Sequence, residues 1–217
     1  MSHPPFVEPL PAHTDTPTRT ELRRTLRERR RALSRQQQKQ AARALASRLL
    51  GHPALFRARH VALYVPNDGE IDPGTYQALA RKRGIQFYLP VLHPLHDGRL
   101  VFSPVDEHTP LTDNRFGIPE PDFKDGLGRP PWALDAVLMP LVGFDRAGGR
   151  LGMGGGFYDR TFAFGRHRPA MLPTLIGLAH DDQCVARIPT ESWDIPLHWI
   201  VTDRGRYHCR SQDYSKI

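Results

Sequence analysis

Residues 150–160 read RLGMGGGFYDR: an arginine, four glycines in five positions (Gly152, Gly154, Gly155, Gly156), then Tyr158 and Asp159. Glycine gives up more backbone entropy on folding than any other residue, so a cluster this dense calls for a reason other than packing. Between a strand and a helix, glycines let the chain turn sharply and let successive N–H groups converge on an anion, helped by the helix dipole. Arg150 adds a bidentate donor that suits phosphate. Asp159 is the kind of hard oxygen ligand that holds the Mg²⁺ accompanying a nucleotide. The familiar phosphate loops do not match, because Gly156 is followed by Phe157 rather than Lys, and a G-x-G-x-x-G run would need glycine at Phe157. From the glycines alone, a flexible surface loop fits equally well.

Such a loop needs a strand before it and a helix after it. DAVLMPL (135–141) reads as a buried strand leading straight into the cluster, and a helix is expected over about 156–164. Upstream, Thr18 and Glu21 form a capping box that opens a helix over about 19–33, with Leu22, Leu26 and Leu33 on one face. Ser34 and Gln37 open a second helix, which Gly51 and Pro53 end. HVALYVP (60–66), a helix near 75–83 and a strand in 85–92 make a βαβ unit. Asp97–Gly98 turns a hairpin into 99–105, residues 106–134 read as a long ordered loop, and 174–179 and 198–202 complete the strands. Alternating strands and helices imply a single α/β domain with a largely parallel sheet flanked by helices. In such sheets ligands bind at the carboxyl ends of the strands.

The chain has 217 residues, 39% of them hydrophobic, enough for one well-filled core. No stretch is long and apolar enough for a membrane span. Residues 1–18 are broken by prolines and lack a signal-type apolar core, so a disordered leader is expected there, the domain over 19–210 and a short tail over 211–217. Two cysteines, Cys184 and Cys209, give no disulfide framework and point to a reducing cytoplasm. The net charge of +7 favours anionic partners. Much of it is local: eight arginines fall between Arg19 and Arg35.

At MPLVGFDRAGGRLGMGGGFYDR (139–160) the sequence resembles the 5-formyltetrahydrofolate cyclo-ligases, also called 5,10-methenyltetrahydrofolate synthetases. The resemblance extends to Leu22–Arg23, NDGEID (67–72), NRFGIPEP (114–121) and, in a form similar to proteobacterial members, LAHDDQ…IPTESWDIPL (178–197). It implies a three-layer αβα fold of the NagB/RpiA/CoA-transferase-like kind. It also implies that 5-formyltetrahydrofolate is cyclised to 5,10-methenyltetrahydrofolate at the expense of ATP, with Mg²⁺ as cofactor and ADP and phosphate as products.

Carried over residue by residue, the resemblance makes Arg150, Leu151, Gly152, Met153, Gly154, Gly155, Gly156, Phe157 and Tyr158 the ATP loop, joined by Arg19 and Arg23 from the first helix. Arg150, Tyr158 and Asp159 are the implied catalytic residues. Asp159 and Asp194 are the implied Mg²⁺ ligands, although Asp194 alone would pass for a loop or capping aspartate. Glu70 is the implied pterin contact, since a carboxylate suits an edge with adjacent N–H donors. Val65, Phe116 and Tyr158 are the implied apolar and aromatic walls of the folate site; Val65 or Phe116 could equally be core. Two positions depart from the family pattern. Gly155 stands where many members have Lys, and Arg19 stands where Lys is usual, keeping the charge but changing the reach. The expected form is a monomer in the cytoplasm, binding neither nucleic acid nor membrane.

Three other readings bear on the same residues. The arginine-rich helix could bind nucleic acid, but without interleaved aromatics it reads better as a solvated face with one side turned to phosphates. A paralogue serving another substrate would have no need of Glu70. His93 and His96, separated by Pro94, read as loop histidines rather than metal ligands. Arg24, Arg29 and Arg31 are expected to face solvent.

Overall fold

Short, continuous apolar runs that are buried on both faces dominate the architecture. The computed structural model describes residues 17–123 and 128–209. The expected leader and tail therefore lie outside the described residues, apart from Pro17 and Thr18. Thr18 caps α1 (Arg19–Arg31), with its hydroxyl and the Glu21 carboxylate closing the predicted capping box. A second box at Ser34 and Gln37 opens α2 (Arg35–Leu50). The βαβ unit follows as β1 (His60–Ala62), α3 (Gly74–Arg81) and β2 (Gln86–Leu92), with β1 and β2 parallel. A turn through Gly98 (φ 74°) returns the chain antiparallel into β3 (Leu100–Val105).

Residues 106–134 are less plain than expected. They contain a small hairpin of β4 (Leu111–Asp113) and β5 (Pro119–Pro121) and a helical turn at Pro131–Ala133. Next come β6 (Ala136–Pro140), β7 (Gly143–Asp145), β8 (Arg150–Leu151) and α4 (Phe157–Phe162). The chain ends through β9 (Thr174–Ala179), β10 (Cys184–Val185), β11 (Trp199–Thr202) and β12 (Arg206–His208).

The main sheet runs β12-β11-β9-β6-β1-β2-β3. Its five central strands are parallel, and antiparallel strands sit only at the two edges. Side chains alternate across it. Val61, Ala136, Leu138, Ile176 and Val201 face α2 and α3, where Leu45, Leu49 and Tyr76 meet them. Ala62, Val137, Met139, Leu175 and Ile200 face the opposite layer, which holds Phe144 and Phe162. Both faces are covered, as a parallel sheet requires. The result is the expected three-layer α/β domain.

Helix α1 lies away from this sheet. Its Leu22 and Leu26 pack on Val142, Leu151 and Ile188 around a second, three-stranded sheet of order β10-β7-β8. That sheet corrects one expectation, because β6 does not run straight into the glycine cluster: a β7–β8 hairpin intervenes. The buried Asp145 carboxylate organises its turn by accepting from Ala147 and Gly149 N–H, and it ties in Ile188 N–H. Truncating Leu26 to Ala would cost about 2–5 kcal/mol and loosen α1 from the hairpin it braces.

Candidate active site

The glycine loop sits beyond the carboxyl end of β6, between β8 and α4, on the side of the sheet where parallel α/β folds bind ligands. Gly154 (φ 100°) and Gly156 (φ 63°) take left-handed conformations that side chains disfavour. Helix α4 is shorter than expected, six residues followed by a 3₁₀ turn at Ala163–Arg166, so its dipole contributes less than a longer helix would. Arg160 fastens the loop by donating to the carbonyls of Gly98 and Gly155. Gln183 braces the chain after β6 through the carbonyls of Leu141 and Val142.

Arg150 is buried, donates from Nε to the Ile195 carbonyl at 2.8 Å, and pairs through Nη2 with Asp159 Oδ1. Asp159 Oδ1 also accepts from Ile195 N–H at 3.0 Å. Among the described residues no hydrogen bond engages Asp159 Oδ2. Arg23 reaches across from α1 and donates from Nε to the Gly152 carbonyl at 2.9 Å. A Cβ at Gly154 would stand in ordinary contact with this guanidinium, 3.6 Å away, so the left-handed backbone rather than lack of space calls for glycine there. Met153, at the tip of the loop, is half exposed.

Arg19 and Asp194 were both expected at the nucleotide, and here they bind each other. Arg19 contacts Asp194 from two nitrogens, at 2.6 and 3.3 Å, and also donates to the Pro189 carbonyl. Asp194 further accepts from Glu191 N–H. Among the described residues no group of three or more His, Cys, Asp or Glu side chains could hold a metal ion. Mg²⁺, however, is commonly held by one or two carboxylates together with substrate phosphates. Asp159 fits that role, having an oxygen free beside the loop. Asp194 fits it only if Arg19 releases it.

The 67–70 turn follows β1 and holds Glu70, whose carboxylate is nearly buried. Burial pushes the Glu70 carboxyl above its usual range, partly offset by the Asn67 N–H at 3.1 Å and by Arg30. The Tyr158 hydroxyl is pushed up by desolvation and then by the nearby Glu70 charge. Tyr64, buried beside the same carboxylate, donates to the Ile71 carbonyl at 2.6 Å. Val65 lines a separate cavity of about 320 Å³ with Tyr64, Asp72, Leu89 and Val105. Phe116 is 53% exposed on the β4–β5 hairpin and meets Phe157 edge-on at 5.7 Å, so it stands at the mouth of the glycine loop rather than in the core.

Arg30 has no counterpart among the sequence expectations. It is 1% exposed, touches Met153 Sδ at 3.8 Å on the glycine loop, and binds Asp68 and approaches Glu70 on the other side. Its signal was present: it occupies the position between Leu26 and Leu33 on the apolar stripe of α1. Arg31, expected to face solvent, is half exposed but pairs with Asp68, as does Arg27. Arg24 and Arg29 are exposed as expected. His93 is a loop histidine whose Nδ1 accepts from the N–H groups of Leu95 and His96.

Comparison with known proteins bears on the family and the fold. The model of the 5-formyltetrahydrofolate cyclo-ligase family matches residues 15–203. The chain is 42% identical over 179 residues to the 5-formyltetrahydrofolate cyclo-ligase of Escherichia coli, covering 82% of this chain and 96% of that protein. It is 38% identical to the one from Haemophilus influenzae, covering 86% and 98%. The NMR structure of Aquifex aeolicus 5,10-methenyltetrahydrofolate synthetase superposes with a TM-score of 0.73 at 28% identity, over 89% of this chain and 93% of that one. The Mycoplasma pneumoniae synthetase shares the fold, with a TM-score of 0.66 at 22% identity over 85% and 98%. The chain belongs to the 5-formyltetrahydrofolate cyclo-ligase family.

Proposed function

We propose that this protein cyclises 5-formyltetrahydrofolate to 5,10-methenyltetrahydrofolate, spending one ATP and releasing ADP and phosphate. One observation carries the reading beyond family membership. The glycine loop and the 67–70 turn lie within reach of a single guanidinium, that of Arg30, so a nucleotide phosphate and a pterin can be held side by side.

The formyl oxygen attacks the γ-phosphorus and ADP leaves, giving an N5 iminium phosphate. N10 then attacks the formyl carbon, loses its proton, and expels the oxygen as phosphate as the ring closes. Positioning and charge stabilisation supply most of the acceleration in such transfers. The loop N–H groups and Arg23 receive the phosphates, Arg150 holds Asp159 in place, and the Glu70 carboxylate accepts from the pterin N–H edge. Arg19, tethered by Asp194, lies on the same side as Arg23 and adds positive charge toward the phosphates. Phe116 and Tyr158 close over the folate, whereas Val65 lines the separate cavity beside Tyr64. Asp159 Oδ2 would hold Mg²⁺, which supplies charge neutralisation on the transferring phosphoryl oxygens.

No helix among the described residues is long and apolar enough to cross a membrane. Both cysteines are free, which suits a cytoplasmic enzyme acting as a monomer on small anionic ligands. Labelling the formyl group with ¹⁸O tests the chemistry: the label is expected in the released phosphate. Its appearance in water instead would rule out transfer through the formyl oxygen.

A further inference from the structure

Three arginines of α1 converge on one carboxylate, and this is more positive charge than that carboxylate can balance. Asp68 accepts from Arg27 Nε at 2.7 Å, from Arg30 Nη2 at 2.8 Å and from Arg31 Nε. Arg27 and Arg31 both reach solvent, whereas the Arg30 side chain is wholly buried. Arg30 Nε also donates to the Asp68 carbonyl at 2.7 Å. These bonds fix the guanidinium plane and hold Asp68 in its left-handed conformation, φ 52°. The remaining nitrogen, Nη1, is buried without a hydrogen-bond partner among the described residues and lies 3.8 Å from Glu70 Oε1. An unpaired N–H on a buried cation is costly, and Asp68 gives no reason for it. The carboxylate that Nη1 approaches is that of Glu70.

We infer that Arg30 is a positioning residue: anchored by Asp68, it holds Glu70 in orientation and in its charged form for the incoming substrate. The inference rests on the reading of Glu70 as the folate contact. Around Glu70 stand Arg27 and Arg30 from α1, Asp68 on its own turn, Tyr64 after β1 and Tyr158 on α4, with His180 against the Gly69 carbonyl. Burial keeps His180 below its usual range and both phenols above theirs, so these three are uncharged at neutral pH. Asp68 opposes ionisation of Glu70. The Asn67 N–H favours it most, and of the charged groups around it only the arginines do so, Arg30 more than Arg27. Without Arg30, Glu70 would take up a proton at higher pH and lose an acceptor that the pterin edge needs.

The test measures 5-formyltetrahydrofolate affinity against pH for the full-length protein, Arg30→Gln, Arg30→Lys, Glu70→Gln and the double variant Arg30→Gln/Glu70→Gln, with thermal melts alongside. Arg30→Gln should weaken folate binding about tenfold or more at neutral pH and move the acid limb of the profile upward. Arg30→Lys should move it less. In the Glu70→Gln background, Arg30→Gln should change neither quantity. Equal losses in both backgrounds, an unmoved acid limb, or failure of both Arg30 single variants to fold would overturn the inference in favour of a purely structural arginine. Unchanged affinity in Glu70→Gln alone would overturn the folate reading of the turn, and the inference with it.

Discussion

Arg23 donates from Nε to the Gly152 carbonyl at 2.9 Å, joining residues 129 positions apart. The bond places one cation of α1 on the glycine loop while its neighbour Arg24 stays exposed. Arg23→Ala should therefore raise KM for ATP about tenfold or more, as loss of a charged hydrogen bond does. Arg24→Ala should stay within about twofold, as exposed charges do. Steady-state kinetics decide the matter, and equal effects would speak for diffuse electrostatics instead.

The pairing of Arg19 with Asp194 separates two carboxylates expected to act alike. Asp159→Asn should lose about 100-fold or more in kcat, since it removes the charge that pairs with Arg150 and puts an amide NH₂ where the free carboxylate oxygen stands. Asp194→Asn should raise KM for ATP and leave the Mg²⁺ concentration dependence in place. A shifted Mg²⁺ dependence in Asp194→Asn would return that residue to the metal.

Glu70 is expected to set the acid limit of folate binding. Its carboxyl is raised by burial, so as pH falls the charge is lost earlier than for an ordinary glutamate, and affinity falls with it. Glu70→Gln should bind at least about tenfold more weakly at neutral pH and show a flat profile on the acid side. Titration calorimetry across pH reads both effects. A Glu70→Gln protein with the parent profile would assign the acid limb to another group.

Asp68 is a stability residue. Burial would raise its carboxyl, but the hydrogen bonds of Arg31, Arg27 and Arg30 outweigh that and hold it down to about 2, below the ordinary 3.8. A depressed carboxyl contributes stability above its unfolded value and loses it as pH falls through the folded one. Asn keeps the shape and tolerates the positive φ, so Asp68→Asn removes mainly the charge. It should cost about 3 kcal/mol at neutral pH by leaving Arg30 uncompensated. The gap to the parent should close between about pH 4 and about pH 2. Urea unfolding at several pH values measures it, and a gap that persists at low pH would point to lost packing.

The elements with strong periodicity were legible in the sequence. The capping boxes at Thr18 and Ser34, the βαβ unit around α3 and the strand at Thr174–Ala179 follow from local pattern alone. The β7–β8 hairpin was not, because strands of three and two residues carry no period to read. The glycine loop, Arg150 and Asp159 were visible together, since the contacts joining them are close in sequence. The Arg19–Asp194 pair spans 175 positions and could not be read locally. Arg30 was missed because an arginine among arginines reads as a solvated face, although its place on the leucine stripe of α1 argued for burial.

The central claim is tested most directly by mixing the purified protein with 5-formyltetrahydrofolate and MgATP and following the absorbance of the methenyl product together with ADP. The account predicts methenyl product and ADP in equal amounts, with neither formed when folate, ATP or Mg²⁺ is withheld. ADP release independent of 5-formyltetrahydrofolate, or no methenyl product from a folded protein that binds both ligands, would contradict it.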